Sequence, residues 1–320
     1  MYCPYKPEEL VAKEIEYFWP GVIAYGFPAY INGSTGLGKT NVFLKVMADA
    51  TNGIFPPGVG KYALEDPVHG EPIRCFYVST ENPVSEIVYP ALIHNGADTG
   101  RIKIQKEEEG HFTLCMEDLQ VLYKDFTPKL IIIDAFQEHL PDGCSLSDGE
   151  HMSEVMREME HFAYENKVAL VLIGNDAKGT EGRSDANKLL GSGVIARRAR
   201  SLITVKESKG ERYLKVTKRL GFTRKEDTMI GYQFGDDEKL EFYLYDGCIS
   251  EELEPEDEYG AGDNAEAFLL DLLSDGSVDS KEVKRLAIEA GIAIATLNRA
   301  KKRLGIRSRR LSNRSSLWVL

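Results

Sequence analysis

The sequence predicts an α/β fold: a mostly parallel sheet with helices on both faces and antiparallel edge strands, followed by a small C-terminal domain. Three observations predict it. Short apolar runs alternate with segments of helical period as far as Ser201, strand-like segments then follow one another directly, and an acidic stretch sets off a compact basic tail.

The first region carries the parallel sheet. Ile73–Ser79, Leu130–Asp134 and Val168–Gly174 read as buried strands, being short, continuous, apolar and rich in β-branched residues. Between the last two, Gly149–Asn166 places Met152, Val155, Met156, Met159 and Phe162 at helical spacing, as core rather than cofactor contacts. After Ser201, residues 202–206, 212–218, 228–234 and 240–245 are strand-like and divided by turn residues, which predicts antiparallel additions at the far edge of the sheet. Residues 251–263 (EELEPEDEYGAGD) are acidic with almost no apolar side chains, a linker composition. Beyond them, helices are expected over 265–273, 280–290 and 293–304, then two short strands within 306–320 around Ser312-Asn313-Arg314. Three helices and a hairpin follow the winged-helix order, and Glu289-Ala290-Gly291-Ile292 suits the turn of a helix-turn-helix. The expected domains are therefore 1–250, a linker at 251–263, and 264–320.

Length and composition agree. The 320 residues, 42% hydrophobic and 28% charged, suffice for one large core plus a small appended domain. No apolar run approaches the ~20 residues of a membrane-spanning helix, and the N-terminus has no signal-like apolar core, so a cytoplasmic protein with no membrane partner is expected. Five scattered cysteines without a C-x-x-C pair, and His151 and His161 ten apart, offer no metal or disulfide framework. The net charge of −12 is uneven: between Lys281 and Arg314 eleven basic residues face two acids, leaving +9 there and −21 elsewhere. A basic tail on an acidic body points to nucleic acid.

The strongest motif is Gly33-Ser34-Thr35-Gly36-Leu37-Gly38-Lys39-Thr40, which meets G-x-x-x-x-G-K-[ST]. Residues 29–32 can end a strand and 41–50 form a good helix, the context the motif requires. Glycines let backbone N–H groups curl around phosphates, and the helix N-terminus adds positive potential. Lys39 is expected to reach the β- and γ-phosphates of ATP, and the Thr40 hydroxyl to ligate Mg²⁺. Asp134, closing the LIIID strand, is placed to hold the metal's water shell. Glu81, just after the 73–79 strand, is placed to orient the attacking water, the alternative being a capping acid before Pro83.

These residues together resemble the RecA-type P-loop ATPase core, in the branch of RepA-like hexameric replicative helicases and RadA-like proteins. The likeness extends to Tyr17-Phe18-Trp19-Pro20-Gly21, Asn82-Pro83, Pro90 and Asn95-Gly96-Ala97-Asp98. It implies that Glu81 is the catalytic glutamate and that the 134 strand ends in the metal-shell aspartate. It also implies that Asn175 stands where the family has a γ-phosphate-sensing His, with Lys178 in the same loop. Gly191-Ser192-Gly193 matches the family's central-pore element, which makes Arg183 and Lys188 candidate DNA contacts; a surface loop with solvated charges is the alternative. Related hexamers use Lys and Arg after a strand to reach the neighbouring subunit's γ-phosphate. Here Lys218 and Arg219 are adjacent rather than separated by one residue, and Arg219 is the expected finger, against a solvent-facing pair at the sheet edge.

The C-terminal segment resembles winged-helix domains attached to such ATPases in mobile elements. Residues 296–303 would form its recognition helix, with Leu297, Ala300 and Leu304 inward. Arg299, Lys301, Lys302 and Arg303, with Arg314 on the wing, would be available to DNA. A DNA-dependent ATPase motor is the expected function: a RepA-like replicative helicase of a plasmid, phage or other mobile element. It would use ATP and Mg²⁺, act on single-stranded DNA as a homo-hexamer, contact duplex DNA through the winged helix, and meet a replication initiator or primase. A RadA-like repair ATPase and an ATP-switched DNA-binding regulator are the alternatives.

Overall fold

The computed structural model describes residues 10–59, 68–80, 82–105, 112–146, 148–175, 194–208, 210–220, 228–235, 237, 239–244, 268–273, 277–289, 297, 300–301, 304–312 and 315–319. They form two compact units, the larger holding the elements up to Leu244 and the smaller those from Val278 onward.

In the larger unit, β1 (Tyr17–Trp19) and β2 (Ile23–Ala24) make a short antiparallel pair. β3 (Pro28–Gly33) runs into the phosphate loop and α1 (Lys39–Thr51). β4 (Ile54–Phe55) and β5 (Val68–His69) form a second small pair. β6 (Cys75–Ser79), α2 (Tyr89–His94), β7 (Ile102–Ile104), α3 (Met116–Phe126), β8 (Leu130–Asp134), α4 (Gly149–Asn166) and β9 (Ala169–Ile173) then alternate. α5 (Val194–Arg198), β10 (Ser201–Ser208), β11 (Glu211–Lys218), β12 (Thr228–Phe234) and β13 (Leu240–Leu244) complete the unit.

Among the described residues the main sheet has nine strands, in the order β13-β12-β11-β10-β3-β9-β8-β6-β7. From β10 to β7 every neighbour is parallel. From β10 to β13 every neighbour is antiparallel. The α/β core with a mixed, mostly parallel sheet is therefore as expected, with one correction. β10 is not an antiparallel addition: it runs parallel to β3, with Ser201 opposite Ala29 and Val205 opposite Gly33. The connection from β9 includes α5, and a crossover brings the chain back in the same direction, whereas β10 and β11 are joined by a tight turn at Gly210.

The strands alternate between two apolar layers. Leu130 and Ile132 face the layer that holds Val42, Phe43, Val46 and Met47 of α1; Ile131 and Ile133 face Leu119 and Leu122 of α3 and Met152, Met156, Met159 and Phe162 of α4. The methionines are core, buried to 0% exposure. α4 has the bounds its periodicity predicts. Asp148 caps it by accepting from the amides of Glu150 and His151. Among the described residues no helix is long and apolar enough to cross a membrane.

The smaller unit has α6 (Ser280–Glu289) and a three-stranded sheet in the order β14 (Val278–Asp279), β16 (Ser315–Val319), β15 (Arg307–Ser312). Its core gathers Leu269, Leu273, Val283, Ala287, Leu297, Ala300, Ile306 and Trp318. Leu297 and Ala300 are inward and Leu304, partly buried, packs against this core, as the helical spacing requires. The hairpin appears where expected; β14 adds a third strand that two residues of sequence do not signal. Most of the expected third helix lies outside the described residues.

Candidate nucleotide-binding site

The site is built where β3 ends. Gly33 is the last residue of that strand, with φ +148° and a place directly opposite Val205 of β10. A Cβ there would lie 2.6 Å from the Val205 carbonyl oxygen, so the first glycine of the motif answers to the neighbouring strand as well as to phosphate. Gly36 and Gly38 also have positive φ, +87° and +84°, and a Cβ on either would meet open space. Gly38 immediately precedes α1, whose first turn contains no acid and no side-chain cap. That leaves the first amides of the helix directed at the loop, where an anion is favoured.

Lys39 is buried with 8% exposure, and its Nζ donates to the carbonyls of Gly33 at 2.7 Å and Ser34 at 3.0 Å. The ammonium thus lies across the loop it belongs to, satisfied by backbone oxygens until a phosphate replaces them. Thr40 donates its hydroxyl to Asp134 Oδ2 at 2.6 Å. The two residues are 94 apart in sequence and come together because β8 is separated from β3 only by β9. Tyr77, in the middle of β6, donates to the same carboxylate oxygen at 3.1 Å. Burial raises the Asp134 pKa above the usual carboxylate value; the hydrogen bonds from Thr40 and Tyr77 and the charge of Lys39 pull the other way.

A hydroxyl oxygen and a carboxylate oxygen side by side are hard donors and fit Mg²⁺, which typically completes its shell with water and substrate phosphates rather than a protein cage. The described residues contain no cluster of three or more His, Cys, Asp or Glu that would form such a cage. Thr40 and Asp134 would hold the ion, and its chemistry is to neutralise phosphate charge.

The remaining expected residues divide clearly. Asn175 lies two residues past β9, next to the end of β3, and Gly174 donates to the Ile31 carbonyl at 2.8 Å, so Asn175 belongs to the same edge. Ser79 ends β6 level with Asp134, but Glu81 itself lies outside the described residues. So do Lys178, Arg183, Lys188, the Gly191-Ser192-Gly193 element, Arg299, Lys302, Arg303 and Arg314. Lys301 is half-buried, with Nζ 4.2 Å from the Trp318 ring centroid, a contact inside its own unit. Arg219 follows β11, whose Lys218 pairs with Leu202 at the start of β10. It therefore stands at the edge opposite the phosphate loop, and cannot serve the loop of its own chain. Lys218 is not a free surface charge: its Nζ donates to the Arg197 carbonyl at 2.8 Å, and burial lowers its pKa. β11 itself is not an edge strand, since it lies between β10 and β12.

Two contributors escaped the sequence reading. A tyrosine within the apolar run of β6 is a visible signal for Tyr77, since a buried phenol needs a partner. Tyr232 has no such signal. Its hydroxyl donates to the carbonyl of Leu37, near the tip of the phosphate loop, at 2.5 Å, from β12 and 195 residues away. Burial pushes its pKa up to about 12, so it remains a donor at any ordinary pH.

No curated protein matches this chain. Among solved structures, a KaiC-like protein from the hyperthermophilic archaeon Pyrococcus horikoshii OT3 is 15% identical, with 72% of this chain and 100% of that chain covered and a TM-score of 0.48. The AAA domain family AAA_25 matches residues 11–181, more than half of the chain and the whole set from the phosphate loop to Asp134. The chain belongs to that family, and with it to the P-loop ATPases whose general ligands are ATP and Mg²⁺.

Proposed function

We propose that the chain is a DNA-dependent ATPase motor of the RepA-like replicative helicase kind, working as a ring of identical subunits. The observation that carries the hydrolytic half is the Thr40–Asp134 pair at 2.6 Å beneath a phosphate loop whose lysine rests on exchangeable carbonyl partners. ATP binds with its phosphates against the loop amides, Lys39 turns from the Gly33 and Ser34 carbonyls to the phosphates, and Glu81 accepts the proton of the attacking water. Asn175, beside the loop, reports whether the γ-phosphate is present. Arg219 supports the ring: standing at the opposite edge of the sheet, it meets a nucleotide only if a second subunit presents one.

The DNA half rests on charge. The segment with eleven basic and two acidic residues is the part of an otherwise acidic chain that a phosphodiester backbone would favour. The resemblance assigns Lys178, Arg183 and Lys188 to single-stranded DNA and the C-terminal residues Arg299, Lys301, Lys302, Arg303 and Arg314 to a winged helix that meets duplex DNA or a replication partner. Of these, Lys301 is the weakest candidate, because Trp318 already holds it.

The test is phosphate release with and without single-stranded DNA. Turnover should rise at least tenfold with DNA, and Arg219→Ala should abolish the rise while leaving ATP binding intact. Tight binding of a defined duplex without any rise in turnover would instead identify a nucleotide-switched regulator. Preference for recombination joints over forks would identify a repair ATPase.

A further inference from the structure

Three adjacent strands begin one residue after a cation. Lys129 precedes β8, Arg74 precedes β6 and Arg101 precedes β7. The register pairs Cys75 with both Leu130 and Ile102, so the three cations stand in one row across the amino edge of the sheet. The Lys129 amide donates to the Arg74 carbonyl at 2.8 Å, which carries the alignment to the row itself. Neighbouring strands are ~4.8 Å apart, so the row spans about 10 Å. Lys103 joins it on the same face: its Nζ lies 5.0 Å from the Phe126 ring centroid, and the Arg74 guanidinium lies 5.6 Å from the same centroid.

Like charges in register repel, and little here compensates them. Arg101 has a carboxylate partner, Asp98 at 3.1 Å. Among the described residues Arg74, Lys103 and Lys129 have none; Arg74 donates instead to the Thr127 hydroxyl at 2.6 Å. Arg74, Arg101 and Lys129 line a cleft of about 560 Å³, together with Ile73 and the ring of Tyr123. The cleft has a cationic side and an apolar, aromatic side, and its size is that of a small-molecule site. It is separate from the phosphate loop. Lys129 and Asp134 mark the two ends of β8, about 17 Å apart along five residues.

We propose that this amino-edge cleft binds a small phosphorylated ligand carrying at least two linked phosphates and a flat ring, the chemistry of a nucleoside diphosphate or triphosphate. Guanidinium groups at Arg74 and Arg101 suit phosphate oxygens in pairs, Lys129 adds a point charge, and Tyr123 and Ile73 offer the ring a surface. A row of three cations matches two or three linked phosphates better than an extended polymer.

The test is calorimetric titration of the full chain with ADP and with inorganic pyrophosphate, both without magnesium. Two ADP sites are expected per chain. Lys39→Ala should leave one, which also takes pyrophosphate, more weakly than ADP. In the Lys39→Ala background, Arg74→Gln and separately Lys129→Gln should weaken that site at least tenfold with unchanged circular dichroism; either variant suffices if the other does not fold. A single ADP site that Lys39→Ala removes would overturn the proposal. So would residual binding that neither cation variant weakens, or a single-stranded oligonucleotide held through Arg74 and Lys129 where ADP and pyrophosphate are not.

Discussion

The parallel half of the main sheet and its antiparallel half meet the phosphate loop from two sides. The parallel half supplies chemistry: β3 carries the loop, β8 ends in Asp134, and β6 sends Tyr77 to the same carboxylate. The antiparallel half supplies position. β10, the strand at which the two halves join, runs close against Gly33, and β12 holds the Leu37 carbonyl through Tyr232. The groups proposed to meet phosphate and metal, Lys39 and Thr40 at the start of α1 and Asp134 at the end of β8, gather where buried parallel strands end, and burial raises the Asp134 pKa. Groups that shape the loop come from β10, which the crossover through α5 brings beside β3, and from β12 two strands further out. If this division is right, changes in the first half should cost turnover, and changes in the second should cost stability or nucleotide affinity.

The largest effect should follow Lys39→Ala. The variant loses the one cation that rests within the loop, so turnover should fall by about 10²–10³-fold, the scale of removing one preorganised charge donor. Phosphate release measures it, and any DNA-stimulated turnover should vanish with the basal rate. Retained turnover would remove the loop from the chemistry.

Gly33→Ala probes the seam between the halves. The new methyl would sit 2.6 Å from the Val205 carbonyl in a backbone conformation that side chains rarely adopt. Strain of this kind costs about 2 kcal/mol or more. Thermal unfolding without nucleotide should show the loss directly. An unchanged melting temperature would mean that β10 yields, and that the seam is looser than its register suggests.

Tyr232→Phe tests the antiparallel half alone. It removes one hydroxyl and leaves the buried ring. Losing a hydrogen bond of this type costs about 1 kcal/mol, so KM for ATP should rise about fivefold with kcat nearly unchanged. A fall in kcat at constant KM would place Tyr232 in the chemistry and break the division.

The division also tracks what the sequence could disclose. Leu130–Asp134 and Gly149–Asn166 were legible to the residue, from an unbroken β-branched run and from the helical spacing of Met152, Val155, Met156, Met159 and Phe162. The loop, Thr40 and Asp134 were legible because their chemistry fixes their spacing and context. The direction of β10 was not: alternation of apolar residues is the same in parallel and antiparallel strands, and only the crossover through α5 decides it. Tyr232 was hidden for a related reason. Its contact with Leu37 needs the register of β10, β11 and β12 in turn, and no local pattern encodes three registers at once. The cation row at the amino edge is visible only after β8, β6 and β7 are aligned.

The smallest effect concerns α4, which covers the parallel half on the face away from α1. His151 Nδ1 lies 2.5 Å from Asp148 Oδ2, at the start of the helix that Asp148 caps. The hydrogen bond and charge of Asp148 raise the His151 pKa above its ordinary 6.5, and the same hydrogen bond lowers that of Asp148 below 3.8. A raised histidine contributes stability below its unfolded pKa and loses it as the pH rises through the folded value. A lowered aspartate contributes above its unfolded pKa and loses it as the pH falls through the folded value. The pair therefore contributes most between about pH 4 and 6.5 and fades on both sides. Both side chains are solvent-accessible, so the effect is small and screened by salt. Asp148→Asn keeps a capping side chain and removes the charge. The melting temperature of the variant should fall below that of the parent most at pH 5 and least at pH 8, with KM for ATP unchanged at either. A KM that moved with this pair would mean that α4 communicates with the loop through β8 and β9, and the parallel half would then hold position as well as chemistry.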